Sequence, residues 1–513
     1  MKDWLKTAVF YEIYPQSFKD TNADGIGDFN GIIEKLDYIK SVGFNAIWLN
    51  PCYKSPFNDA GYDVTDYYTV AERYGTNEDL KRLFYEAHTR GMHIILDLVP
   101  GHTSLECEWF IQSQKATPNE YSGRYIWTDS VWTDVTGISG ITGSYRGLSE
   151  RDGSCAVNFF TCQPALNYGF AKVTEPWQSS MDSPEALQTR TAMIDVIKFW
   201  IGMGCDGFRV DMAGSLVKND DEEQSATVRL WQEIFAEVKK HYPEAVFVSE
   251  WGEPDRALCA GFDMDFLLHF GSSHYMDLFR TDKPYFSYDG RGNLEEFFKS
   301  YLENLKKTMG NGYICIPSGN HDMERISRAL DNEQIKLAFA FLMSMPGIPF
   351  VYYGDEIGMK YLKNIASVEG GYYRTGARTP MQWDTSSNCG FSAASPNKLY
   401  IAIDPDEGRP TVEEQMLDDT SVLNELKRII TVRHSCKELG SDSDFELISC
   451  GYPLLYRRGK KVLVAINPTQ EEKTVECSAI ASEIIYSYNG GAVLEDGKIT
   501  VKPASVAYIR LEN

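Results

Sequence analysis

The 513-residue sequence predicts an α/β protein, a (β/α)8 TIM barrel with an insertion after its third strand and an antiparallel β-domain at the C-terminal end. Three observations predict it. Strand-like and helix-like runs alternate from the start, the pattern of a parallel sheet with crossover helices. Three carboxylates follow short apolar runs: Asp211 closes Gly207-Phe208-Arg209-Val210-Asp211, Glu250 closes Val246-Phe247-Val248-Ser249-Glu250, and Asp322 follows Tyr313-Ile314-Cys315-Ile316-Pro317 within Ser318-Gly319-Asn320-His321-Asp322. Acids so dispersed converge only if their strands lie side by side, and a parallel barrel gathers its strand ends on one face. Beyond about residue 439 the pattern changes to short β runs separated by turns such as Asn489-Gly490-Gly491.

In chain order, Val9 to Tyr14 reads as the first strand and Asn45 to Leu49 as the second. Between them Ile32, Ile33, Leu36 and Ile39 recur at helical spacing, and Gly43 stops that helix. His93 to Val99 is the third strand. Residues 104 to 172 break the rhythm: rich in Gly, Ser, Thr, Trp and Tyr and without periodicity, they read as an insertion overhanging the barrel mouth. Gly207 to Val210, Val246 to Val248, Met264 to Leu268, Tyr313 to Ile316 and Ile348 to Tyr352 supply the remaining strands, the sixth being the least distinct. A last helix, Val422 to His434, precedes β runs at Phe445 to Ile448, Leu454 to Tyr456, Val462 to Ile466, Glu483 to Tyr488 and Ser505 to Leu511. The expected domains are a barrel over 1–103 and 173–438, the insertion over 104–172, and a β-sandwich over 439–513.

Composition narrows the function classes. A hydrophobic content of 43% with 24% charged residues describes a globular chain. The net charge of −23 repels phosphate backbones and anionic lipid, which argues against nucleic acid and membrane partners. The eleven cysteines include no Cys-x-x-Cys pair, and Met1-Lys2-Asp3-Trp4-Leu5-Lys6 lacks the apolar run of a secretory signal, so a reduced, cytoplasmic protein is expected. Oligomeric state stays open.

The chemistry follows from the acids. Converging carboxyl groups are what cleavage of a sugar acetal needs, one ionised to attack the anomeric carbon and one protonated to assist the leaving oxygen. Arg209 lies two residues before Asp211, on the same side of a strand, where a cation lowers a carboxylate pKa. Glu250 needs the reverse, a proton retained by partial desolvation, for which Trp251 is the adjacent apolar group. A second loop, Asp20-Thr21-Asn22-Ala23-Asp24-Gly25-Ile26-Gly27-Asp28, spaces oxygen ligands alternately as hard-cation loops do. The twelfth position is Gly31 and a strand precedes the loop, so it is not an EF-hand.

These residues together resemble the α-amylase family of glycoside hydrolases over nearly the whole chain. Four signatures carry the likeness: Asp97-Leu98-Val99-Pro100-Gly101-His102, Gly207-Phe208-Arg209-Val210-Asp211, Ser249-Glu250-Trp251 and Asn320-His321-Asp322. The resemblance implies Asp211 as nucleophile, Glu250 as acid/base and Asp322 as the residue gripping sugar hydroxyls in the transition state. It implies that Tyr62, His102, Arg209 and His321 line the subsite of the ring being cleaved. Where the family carries Asn before its first-signature His, this chain has Gly101, so a calcium ion between barrel and insertion is not expected there. The 20–28 loop instead resembles the first-loop calcium site of oligo-1,6-glucosidase-like members, with Asp20, Asn22, Asp24, Asp28 and the Ile26 carbonyl as Ca2+ ligands. Gln163-Pro164-Ala165-Leu166-Asn167 and Ala377-Arg378-Thr379-Pro380-Met381-Gln382-Trp383 resemble segments of the α-glucosidase and trehalose synthase branch. In such enzymes an acid at the position of Asp59 binds the terminal sugar, and Arg378 would pair with it to close the pocket. Met212 follows the nucleophile where strict α-1,6 enzymes tend to carry Val and α-1,4 enzymes Ala or Thr. The expectation is a retaining α-glucosidase acting, by preference at α-1,4 bonds, on short α-glucan oligosaccharides. The alternatives are a transglycosylase or isomerase of the trehalose synthase kind, an endo-acting α-amylase and, from another class, a non-catalytic glucan-binding protein.

Overall fold

The computed structural model describes residues 2–147, 149–271 and 273–512. Eight parallel strands form its central sheet: β1 (Phe10–Ile13), β2 (Ala46–Leu49), β3 (His93–Leu98), β4 (Gly207–Val210), β5 (Val246–Ser249), β6 (Met264–Phe266), β7 (Tyr313–Cys315) and β8 (Phe350–Tyr352). They run in the order β7-β6-β5-β4-β3-β2-β1-β8, and a bridge between Pro317 and Phe350 closes the ring from β7 to β8. Each strand lies near its expected place: β4 has the expected bounds, β5 runs one residue further, and the other six are one or two residues shorter. The chain is a (β/α)8 barrel with a C-terminal β-domain.

The strands are buried on both faces, which is why they read as unbroken apolar runs rather than alternating ones. One face of every strand but β4 fills the barrel axis with Phe10, Ala46, Trp48, Ile95, Val246, Val248, Met264, Phe266, Tyr313, Cys315 and Phe350. Phe10 stacks on Phe350 at 4.3 Å and Phe266 meets the same ring edge-on at 4.7 Å, arrangements that aromatic quadrupoles favour. The other face packs on the helices. Helix α1 (Phe29–Val42) is capped by Asp28, whose carboxylate accepts from the Gly31 amide, and it buries Ile32, Leu36 and Ile39. It ends at Gly43, at φ 115°, a left-handed stop that a side chain would resist.

The C-terminal domain is two antiparallel sheets. The first comprises β9 (Phe445–Ser449), β10 (Leu454–Arg458), β11 (Val462–Asn467), β13 (Ala481–Tyr488) and β16 (Ser505–Leu511); the second comprises β12 (Lys473–Glu476), β14 (Ala492–Glu495) and β15 (Lys498–Val501). Leu455, Leu463, Ala507 and Ile509 of the first pack on Cys477, Ile499 and Val501 of the second. The outer face of the larger sheet lies on α2 (Asn332–Ser344), whose carbonyls and Ser344 meet the hydroxyls of Tyr508 and Tyr456. Among the described residues no helix is long and apolar enough to cross a membrane, and all eleven cysteines are free thiols.

Candidate active site

Strand register delivers the acids to one level. The Asp211 amide donates to Leu98 O at 2.8 Å and the Glu250 amide to Val210 O at 2.9 Å, so each acid sits just past the end of its strand. Arg209 and Asp211 share a face of β4. The Arg209 guanidinium then joins three carboxylates. Nη1 lies 2.9 Å from Asp97 Oδ1 and 2.9 Å from Asp211 Oδ1, and Nη2 lies 2.8 Å from Glu250 Oε1. Glu250 Oε2 accepts from the Met212 amide at 3.0 Å, which Met212 presents by adopting φ 44°.

A second group forms beside it at the end of β7. His321 Nδ1 lies 2.8 Å from Glu12 Oε1, and Nε2 lies 3.0 Å from Asp322 Oδ2 and 2.7 Å from the Tyr62 hydroxyl. The Tyr62 ring stacks on His321 at 5.2 Å, and its hydroxyl reaches Asp97 Oδ2 at 2.9 Å, joining the two groups. Asp322 Oδ1 accepts from Arg374 Nη1 at 2.7 Å and from Arg378 Nη2 at 3.1 Å.

Burial sets the proton affinities and the ion pairs adjust them. Burial and the facing Glu250 carboxyl push Asp211 well above the usual carboxylate range, with Arg209 opposing both. The expected depression of Asp211 by Arg209 is therefore outweighed, and Asp211 holds its proton to higher pH than a lone carboxyl would. Burial alone would lower the His321 imidazole, but Asp322 and Glu12 on its two nitrogens raise it to about 9. Burial alone would raise Asp322, yet His321, Arg374 and Arg378 hold it well below the usual range. Desolvation drops His102 to about 3, leaving it neutral.

His102 depends on a compensation that sequence reasoning missed. A Cβ on Gly101 would lie 2.5 Å from Asn158 Nδ2, so the Asn158 amide occupies the space a side chain at 101 would need. Asn158 Nδ2 lies 3.3 Å from His102 Nδ1, and its Oδ1 accepts from Lys218 Nζ at 3.1 Å. Lys218 is buried and among the described residues has no acidic partner, and desolvation lowers it to about 7.

The acids open onto a cavity of about 840 Å³. Asp59, Tyr62, His102, Asp211, Glu250 and Asp322 line it, with Phe159 and Phe160 from the insertion segment and Phe270, Tyr372 and Tyr373 opposite. Arg209, His321 and Arg378 do not open onto it; all three are 1% exposed or less and lie beneath the residues that do. The expected Asp59–Arg378 pair does not form. Asp59 Oδ1 faces Arg374 Nη2 at 3.4 Å and Oδ2 accepts from Gln163 at 2.7 Å, while Arg378 Nε donates to His321 O at 2.8 Å. The reason is local: Tyr372–Ala377 is a 3-10 turn, which directs Arg374 to the cavity and leaves Arg378 under Asp322. The wall is thus Asp59, Arg374 and Asp322.

The 20–28 loop lies elsewhere; none of its residues lines the cavity. Asp20 Oδ1 accepts from the Asn22 and Ala23 amides, Asp24 Oδ1 from the Ile26 amide, Asn22 Oδ1 from the Asp24 amide, and Asp28 Oδ2 from the Thr21 amide. Asp20 and Asp28 are buried, and among the described residues no Lys, Arg or His pairs with any of the loop's three acids. The donor set suits a hard cation by its oxygen chemistry, although among the described residues no three His, Cys, Asp or Glu side chains are gathered as a metal cluster.

Comparison with known proteins bears on this geometry. The family model described as alpha amylase, catalytic domain, matches residues 12–442. The oligo-1,6-glucosidase of Parageobacillus thermoglucosidasius is 32% identical, over 92% of this chain and 91% of that protein. The trehalose synthase/amylase TreS of Mycolicibacterium smegmatis is 32% identical, over 84% of this chain and 76% of that one. Among solved structures, the trehalulose synthase MutB from Pseudomonas mesoacidophila superposes with a TM-score of 0.82 at 26% identity, covering 100% of both chains.

Proposed function

From the premise that this chain belongs to the α-amylase family and is a glycoside hydrolase, we propose that it is a retaining, exo-acting α-glucosidase of short α-glucan oligosaccharides. Asp211 attacks the anomeric carbon as Glu250 passes its proton to the departing glycosidic oxygen, forming a covalent glucosyl-aspartate. Glu250 then takes a proton from water as that water attacks the same carbon and Asp211 departs with its electron pair. Asp322, held ionised by His321, Arg374 and Arg378, grips ring hydroxyls as positive charge develops on the ring.

The observation that carries the reading is Arg209, whose two terminal nitrogens reach Asp211 and Glu250. Carboxyls joined by one guanidinium suit the short spacing of about 5–5.5 Å used for retention better than the wider gap that an inverting enzyme leaves for water. The Asp59–Arg374–Asp322 wall supports attack on a chain end. Met212 matches neither the Val of strict α-1,6 enzymes nor the Ala or Thr of α-1,4 enzymes, and its departure from Val only leans the reading to α-1,4 bonds; the printed names of the oligo-1,6-glucosidase and trehalose synthase relatives favour α-1,6 cleavage or isomerisation as the second reading. Product analysis over maltose, isomaltose, trehalose, sucrose and starch, followed by proton NMR, decides among them: β-glucose as first product would overturn retention. In Glu250→Gln, activity on maltose should be lost while an activated aryl α-glucoside is still turned over; equal losses would remove Glu250 as the acid.

The proposal includes one Ca2+ in the first loop, held by Asp20, Asn22, Asp24, Asp28 and the Ile26 carbonyl. Its support is a set of acids, two of them buried, that no cationic side chain among the described residues neutralises. The ion would fix the loop that leads into α1 and take no part in the chemistry. It also includes a reducing, cytoplasmic setting, supported by the eleven unpaired thiols.

A further inference from the structure

We propose that Asp265, on β6, is a positioning residue that fixes the Glu250 carboxyl by tying down the residues on either side of it. Met264 and Phe266 face the barrel axis, so Asp265 faces outward, towards the layer behind the cavity. The β5–β6 register ends at the Asp265–Ser249 pair, one residue short of Glu250. Past that point the Asp265 side chain continues what the ladder no longer does. Its Oδ1 accepts from the Ser249 hydroxyl at 2.6 Å and from the Trp251 amide at 3.2 Å. The Glu250 backbone is held from the other side, its amide on Val210 O and its carbonyl accepting from the Ala213 amide at 3.2 Å, the side from which Arg209 and the Met212 amide meet its carboxyl. Residues 249, 250 and 251 are therefore pinned alternately to β6, β4 and β6.

Asp265 is an unusual residue to find there. It is 0% exposed, Oδ2 has no hydrogen-bond partner, and among the described residues no Lys, Arg or His pairs with it. A buried carboxyl without a countercharge is unfavourable, and it persists where the bonds it makes are needed. Burial lifts it to about 8, so near neutrality it is the uncharged acid and anchors this stretch without setting another negative charge behind Glu250. Trp251 lines the cavity and its indole donates to Gln224 Oε1 at 2.6 Å. The same anchor therefore aligns the apolar group next to the acid.

The inference rests on the reading of Glu250 as proton donor, and leaving-group dependence tests it. In Asp265→Ala, kcat on maltose should fall on the order of 10- to 100-fold, the effect of a small misplacement of a catalytic group. On an activated aryl α-glucoside, whose first step needs little acid assistance, kcat/KM should stay within about threefold while kcat/KM on maltose falls with kcat. Asp265→Asn keeps an acceptor oxygen and should restore most of the loss. Ser249→Ala, which removes the shorter bond from its other end, should reproduce the selectivity and decides the matter if Asp265→Ala does not fold. Equal losses on the two substrates, or a lowered Tm with unchanged kcat, would overturn the proposal. Glu250→Gln is the control: if it shows no selectivity, the acid assignment itself fails. If it does while the Asp265 and Ser249 variants do not, only the positioning role fails.

Discussion

His321 should make the stability of this protein depend on pH in a way that one substitution removes. The imidazole is wholly buried between Glu12 and Asp322, which raise it from 6.5 to about 9 against the opposing effect of burial. A group whose folded pKa is raised stabilises fully below its unfolded pKa, and that stabilisation disappears as pH rises through the folded value. Between pH 6.5 and 9 the folded state holds one more proton than the unfolded chain, worth about 1.4 kcal/mol per pH unit and about 3 kcal/mol in total. Lys218 acts oppositely: lowered to about 7 by burial, it makes the folded state gain stability above that pH. The two slopes overlap, so the parent protein alone would show a shallow profile. Urea unfolding of the parent and of His321→Gln from pH 6 to 9.5 separates them. The difference in unfolding free energy between the two should shrink by about 3 kcal/mol from pH 6.5 to 9. A difference that stays level across that range would refute the reasoning that Asp322 and Glu12 hold His321 charged.

Three other outcomes are expected. Arg374→Ala should raise KM for maltose about tenfold, in line with about 1–3 kcal/mol for a largely buried charged hydrogen-bonding partner lost, with kcat less affected; Arg378→Ala should lower Tm as well, since it strips buried bonds to Asp322 and His321 O. Gly101→Asn should cost about 1–3 kcal/mol by overpacking against Asn158, read as a lower urea midpoint, and Asn158→Ala in the same chain should recover part of it. A chelator should lower Tm, and added Ca2+ at a hundred times its Kd should restore about 2.7 kcal/mol; a Tm indifferent to both would remove the first-loop ion from the proposal.

What the sequence made legible follows burial. Barrel strands packed on both faces announce themselves as apolar runs, and the acids after β4, β5 and β7 are legible because each stops such a run. The sixth strand was indistinct because Asp265 interrupts it, and only its packing shows why an acid belongs there. Strands β12, β14 and β15 of the smaller sheet were not anticipated: each exposes one face and carries Lys or Glu there, so four-residue strands look like loop. Arg374 was passed over for Arg378 because a 3-10 turn, invisible to apolar periodicity, decides which of the two points outward. Asn158 could not be found from Gly101, since the compensation comes from a segment with no period of its own.

Helix α2 is buried from Gln334 to Ser344, and it sits between the barrel and the larger C-terminal sheet. A helix with no watery side cannot have evolved, or fold, as the outside of a shorter enzyme. Cutting the chain after residue 440 would leave a greasy cylinder facing solvent and yield aggregates instead of a minimal catalyst. The tail is thus the missing wall of the barrel's own hydrophobic shell, and any recombination that swaps it must swap the matching helix surface too.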